Sequence, residues 1–193
     1  MEVTPQAVKE LRDRTGISFM QCKKALQETN GDLEKALAVL AKLSGDIAKK
    51  KMDRTLGAGV VSAYIHAKEI GAMVLLSCET DFVAKNEEFI RLAYDIAMHA
   101  AAGRPLYIRR EDVPQEDIAM LREKFLDEVK DKPADMQEKI VEGKIASRLK
   151  EVVLLEQAFI KDDSKTIKDL LDNATQKFGE RTDISKLSIF SVR

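Results

Sequence analysis

Few residues of this 193-residue chain could serve as nucleophiles, bases or metal ligands. It has two cysteines, Cys22 and Cys78, two histidines, His66 and His99, and no tryptophan. The cysteines make no CxxC pair and no disulfide framework, so a reducing compartment is the simplest reading. A His/Cys metal site needs more ligands at closer spacing, and none is expected. No G-x-G-x-x-G, P-loop, H-E-x-x-H or G-x-S-x-G occurs. Carboxylates are plentiful but scattered along charged helix faces, where they read as solvated surface. Neither a catalytic residue nor a cofactor is therefore expected, and action through binding another protein moves up. One local arrangement stands out: Thr80-Asp81-Phe82-Val83, an aromatic beside an acid where a strand gives way to helical sequence. On residue types alone, Thr80 or Asp81 caps a helical turn and Phe82 packs into the core, because large apolar residues are usually inside. The other reading is an exposed ring.

Composition limits the setting. Charged residues make up 34% and apolar residues 45%, a globular balance that argues against a wholly disordered chain. The net charge of −1 disfavours non-specific nucleic-acid binding. No apolar run approaches the ~18 residues of a membrane span. The opening stretch MEVTPQAVKELRDR has early charges and no apolar h-region, so it does not read as a secretory signal. A cytoplasmic protein without direct nucleic-acid or membrane contact is expected.

The elements that must position these residues fall into two parts. Residues 1–54 carry a net +3 and the remaining 139 a net −4. The first part reads as a three-helix module with a charged connector. Thr4 caps the first helix with Pro5 at its first position, and Thr15-Gly16 ends it. Ser18-x-x-Gln21 fits a capping box, and Phe19, Cys22, Ala25 and Leu26 follow at helical spacing. Asn30-Gly31 turns the chain, Asp32 caps the third helix, and Leu33, Ala36, Leu37 and Leu40 form its stripe. From Ser44 to Leu56 apolar residues are too sparse for a core face, and the Lys49-Lys50-Lys51 run reads as solvated.

Residues 55–193 read as an α+β core. GAGVVSAYIHA and AMVLLSCET give a β-hairpin signal across Lys68-Glu69-Ile70-Gly71, with Gly71 available for a positive φ. Asn86 caps a helix with Phe89, Ala93, Ile96, Ala97 and Ala100 inside. A helical hairpin near 114–149 uses Ile118, Leu121, Phe125 and Val129 against Met136, Ile140, Ile145 and Leu149. Ser164 caps a last helix, and KLSIFSV is a final strand. The fold class expected is about three antiparallel strands packed with helices.

Three blocks carry a resemblance to the bacterial elongation factor Ts family, in family order and over most of the chain. VKELRDRTGISFMQCKKALQETNGDLEKAL resembles its N-terminal, ubiquitin-associated-like module. CETDFVAKNEEF resembles its signature, and KIVEGKIASRLKEVVLLEQAFIKDDSKTIKDLL is similar to its C-terminal region. The resemblance implies a non-enzymatic guanine nucleotide exchange factor for elongation factor Tu. Such a factor disturbs Mg²⁺ and phosphate binding in the GDP-bound GTPase, so that GDP leaves and GTP can bind during translation elongation. In the family the T-D-F-V segment enters the GTPase and its aromatic wedges between two helices; Thr80, Asp81, Phe82 and Val83 match it. An Arg and two apolar residues of the N-terminal module grip the nucleotide-binding domain, and Arg12, Phe19 and Met20 hold those places. Phe19 departs from the methionine often found there. His66 resembles a strand histidine of long members, and an ordinary strand residue near a turn is an equal reading. A single hairpin unit resembles the short form of the factor, which implies a homodimer by analogy. The rival is a generic adaptor whose module binds a peptide or a ubiquitin-like protein and whose core dimerises. An enzyme is a distant third.

Overall fold

The computed structural model describes residues 3–192, apart from the side chains at 134 and 135. The chain divides into two compact units. One takes the residues up to Ser62 with Val74–Tyr94 and Lys168–Ser185; the other takes Ala63–Met73, Asp95–Ile167 and the end from Lys186.

In the first unit the caps sit where short-range chemistry puts them. Helix α1 (Pro5–Thr15) starts at Thr4, whose hydroxyl accepts from the Ala7 N–H at 3.2 Å. It ends at Gly16, in the left-handed region at φ +69°, whose N–H donates to the Arg12 carbonyl at 2.7 Å. Helix α2 (Phe19–Glu28) is capped by the Ser18 hydroxyl, which accepts from Gln21 N and donates to the Gln21 side chain at 2.9 Å. Helix α3 (Leu33–Lys50) follows a reversal at Asn30 and Gly31, φ +54° and +85°, and its cap Asp32 accepts from Lys35 N at 3.0 Å. Val8, Leu11, Ile17, Cys22, Leu26, Ala36 and Leu40 close the space between these helices.

Helix α3 runs on to Lys50, through the stretch from Ser44 that the sequence reads as a connector. The reason is a distant partner. Helix α8 (Ile167–Phe178) brings Gln176 to the buried Ser44 hydroxyl, and Lys51 Nζ donates to the Gly179 carbonyl at 2.5 Å. The extension is held by contacts made more than a hundred residues away, not by an apolar stripe of its own.

Strands β1 (Ala58–His66), β2 (Ile70–Cys78) and β5 (Asp183–Ser191) form a three-stranded antiparallel sheet in the order β1-β2-β5. The central strand buries Ile70, Ala72, Val74, Leu76 and Cys78 at alternate positions. The hairpin turn is tighter than the sequence suggests. Ala67 and Lys68 take φ +50° and +61°, and Glu69 N donates to the His66 carbonyl at 3.0 Å. Positive φ at both central positions is the type I′ geometry, one of the two-residue turns whose twist matches that of the flanking strands. Gly71 is instead inside β2, where an added Cβ would stand 3.3 Å from Ile65 Cγ1. Helix α5 (Glu87–Gly103) starts at Asn86, whose side-chain oxygen accepts from Glu88 N at 2.9 Å.

The second unit holds the helical hairpin. Helix α6 (Gln115–Val129) turns at Pro133 into α7 (Ala134–Val152). Ile118, Leu121 and Phe125 pack with Ile140, Val141, Ile145 and Leu149. Met136, expected inside, is exposed, and Val141 takes the inward position. Ser164 does not cap the last helix. It lies in β4 (Asp162–Thr166), which pairs antiparallel with β3 (Ala158–Phe159), with Ala158 opposite Thr166 and Phe159 opposite Asp162. Asp162 Oδ1 takes up the Ser164 hydroxyl at 2.5 Å. Buried His99 anchors this small hairpin: its Nδ1 accepts from Ile160 N at 3.2 Å, and its Nε2 faces Gln157 Oε1 at 2.9 Å. At the sheet's hairpin end Ala63, Ile65, Ile70, Ala72, Phe190 and Val192 line an apolar groove of about 330 Å³. Ile65 and Phe190 are 70% and 74% exposed there.

Candidate functional site

Strand β2 ends at Cys78, and after Glu79 and Thr80 the chain winds into one turn of helix, α4 (Asp81–Ala84). Thr80 enters it in extended conformation, and its side chain makes no cap hydrogen bond to the turn. Ala84 N donates to the Thr80 carbonyl at 3.2 Å and Lys85 N to the Asp81 carbonyl at 3.0 Å. Lys85 Nζ reaches back to Asp81 Oδ2 at 2.6 Å and holds that carboxyl below its usual range. None of the residues of α4 is buried.

Phe82 is the feature of this turn. Its ring is 84% exposed, the highest value among the exposed large apolar residues described. Packing of Phe82 into the core, the simpler account of the sequence, is overturned. Strand β2 ends at Cys78, and in the single turn that follows Val83 and Ala84 take the half-buried side while Phe82 lies on the exposed one. Burying such a ring on a partner is worth about 2–3 kcal/mol of apolar transfer.

The turn is tied at its base. Glu180 Oε2 accepts from Glu79 N at 3.1 Å and from Thr80 N at 3.0 Å, while Glu180 Oε1 accepts from the Thr80 hydroxyl at 2.5 Å. Glu79 accepts from Arg181 N at 2.6 Å and pairs with Arg54 at 3.2 Å. Those contacts, the Arg181 N–H first, hold the Glu79 carboxyl below the usual carboxylate range. Arg181 Nη1 donates to the Arg54 carbonyl at 2.8 Å. The Cys78 thiol donates to the Thr80 carbonyl at 3.2 Å, and burial, with Glu180 nearby, pushes it up, away from the thiolate. Cys78 therefore acts as a structural thiol here.

The other residues singled out by sequence fall at two further places. Phe19 and Met20 open α2 and are 44% and 71% exposed, and Arg12 lies exposed on α1. His66 lies at the end of β1 in the second unit, exposed, with Tyr64 Oη 3.1 Å from its Nδ1 and the rings stacked. The structure thus presents two apolar spots on the first unit, one on the N-terminal module and one on α4. Residues that sequence reading missed are Glu180, Glu79, Arg54 and Arg181. No local signal marks them, because each meets the turn across about a hundred residues or through another long-range partner. Among the described residues no group of three or more His, Cys, Asp or Glu is placed to hold a metal, and no helix is long and apolar enough to cross a membrane.

This arrangement suits docking: a displayed ring on a fixed stem and a second apolar patch. Comparison with known proteins adds the family. The family model described as elongation factor TS matches residues 3–193. Elongation factor Ts of Thermodesulfovibrio yellowstonii is 47% identical over 193 residues, covering all of this chain and 97% of its own length. That of Carboxydothermus hydrogenoformans is 50% identical over 195 residues, covering 98% of this chain and 89% of its own. That of Thermotoga maritima is 44% identical, covering all of this chain and 97% of its own.

Proposed function

The chain belongs to the elongation factor Ts family, and from that premise we propose that it is a guanine nucleotide exchange factor for elongation factor Tu in translation elongation. The observation that carries the reading is Phe82, 84% exposed on a turn fixed at its base. The GTPase holds GDP through its phosphate loop, Mg²⁺ and contacts to the base. A partner that binds the nucleotide-free GTPase more tightly must weaken GDP binding by the same coupling free energy. Phe82 enters between two helices of the GTPase, with Thr80, Asp81 and Val83 around it, and shifts the elements that hold Mg²⁺ and phosphate. With Mg²⁺ lost, phosphate charge is poorly compensated and GDP leaves.

Arg12, Phe19 and Met20 grip the nucleotide-binding domain at a second place. Two separated contacts give the leverage that one would lack. His66 is a further candidate contact. No step needs a covalent or proton-transfer role for this chain, so it has no catalytic residue, and Mg²⁺ and GDP belong to the partner. The exposed apolar groove around Ile65 and Phe190 supports a homodimer in which two copies pair through it. The protein works in the cytoplasm without binding nucleic acid or membrane.

Release of a fluorescent GDP from elongation factor Tu, chased with unlabelled nucleotide, tests the reading. Substoichiometric amounts of this protein should accelerate release repeatedly. A rate that does not change on its addition would favour the adaptor reading.

A further inference from the structure

A four-residue turn has little stability of its own, since a single helical turn fixes several dihedrals for one or two hydrogen bonds. In α4 the usual local remedy is missing, because Thr80 gives no side-chain cap hydrogen bond. The support comes instead from outside, just before the turn, on the N–H groups of Glu79 and Thr80. Glu180 follows Gly179, which ends α8 in the left-handed region at φ +71° and so turns the chain toward the base of α4. One carboxylate then receives three hydrogen bonds: two backbone N–H groups on one oxygen and the Thr80 hydroxyl on the other. Charge-assisted bonds of this kind are about twice as strong as neutral ones.

We infer that Glu180 is a positioning residue for nucleotide exchange: its carboxylate clamps Glu79 and Thr80 and fixes the direction in which Phe82 leaves the surface. Lys51, on the carbonyl of Gly179, joins the same corner to the end of α3, so the clamp is continuous with the N-terminal module. This inference rests on the proposed role of the Thr80–Val83 turn. Without the clamp the ring remains exposed but samples many directions, so entry between the partner's helices slows. The initial grip by Arg12, Phe19 and Met20 is unaffected.

The test uses the full chain. Because the protein has no tryptophan, Phe82→Trp supplies a single indole on the turn, excited selectively over the three tyrosines. Time-resolved anisotropy is compared in the parent, Glu180→Ala and Glu180→Gln backgrounds. Gln keeps an oxygen for both N–H groups and an amide that donates to the Thr80 hydroxyl. The expected results are wider, faster indole motion in Glu180→Ala and restoration in Glu180→Gln. With Phe82 intact, Glu180→Ala should lower the saturating GDP-release rate about tenfold, a size typical of lost hydrogen bonds to a charged group, with half-saturation unchanged. Unchanged anisotropy in Glu180→Ala, a Gln variant as mobile as the Ala variant, or an activity loss that only follows unfolding would each overturn the clamp. If Phe82→Ala exchanges nucleotide as well as the parent, the role of the turn fails instead, and the anisotropy comparison still decides the clamp.

Discussion

An aromatic ring left in water is a standing cost, and Phe82 is among the residues where this chain carries one. Since the ring supports no core, Phe82→Ala should move the melting temperature by only about 1–2 °C, as exposed substitutions do; calorimetry checks this. His99 is the opposite case. Its Nδ1 accepts a backbone N–H, so the folded state holds the neutral ring, and burial pushes its pKa below the ordinary histidine value. The unfolded chain therefore binds more protons between the depressed folded value and about 6.5. Stability should be at its full value above that range and decline as pH falls through it. Chemical denaturation from pH 7.5 to 5 should show this slope, and His99→Gln should flatten it. At this scale the sequence was informative where signals act over three or four residues: Thr4, Ser18, Asp32 and Asn86 all cap as their types dictate. Whether Phe82 faced in or out was not legible from composition, because large apolar residues default to the inside, and the tie at the base of its turn comes from Glu180, 100 residues further along the chain.

Among the elements, the hairpin turn shows how a plausible residue can lose to geometry. Gly71 looked suited to a positive φ, yet the two-residue register puts Ala67 and Lys68 there. Residues with a Cβ are strained in that region by about 1 kcal/mol each. Replacing them with the favoured pair, Ala67→Asn with Lys68→Gly, should therefore stabilise the protein by about 1 kcal/mol, or 2–4 °C in melting temperature. A lower melting temperature would mean that these two side chains make compensating contacts. Helix α3 makes the related point about length. Its stripe predicts a stop near residue 43, but Gln176 of α8 and the Gly179 carbonyl just after it meet Ser44 and Lys51, and the helix runs to Lys50. The same limit explains Ser164, a good cap by type that is drawn into the β3–β4 hairpin. In each case a tertiary partner outweighs a local preference, and one sequence read alone does not show where such partners lie.

For the molecule as a whole, the architecture was readable: a three-helix start, three antiparallel strands and a helical hairpin all follow from periodicity and turns. The assembly proposed here predicts twice the 21.6 kDa chain mass by sedimentation equilibrium at micromolar concentration with reductant present. Phe190→Glu, in the apolar groove, should shift the species to one chain; a single-chain mass for the unaltered protein would contradict pairing. The central claim is that a displayed ring drives nucleotide release, and one measurement addresses it most directly. GDP release from elongation factor Tu is followed at saturating concentrations of the unaltered protein and of Phe82→Ala. An anchor residue of this kind is worth about 2–4 kcal/mol, so the variant's rate should fall by roughly 30-fold to several hundredfold while the protein stays folded. A folded Phe82→Ala protein that releases GDP at the unaltered rate would contradict the account.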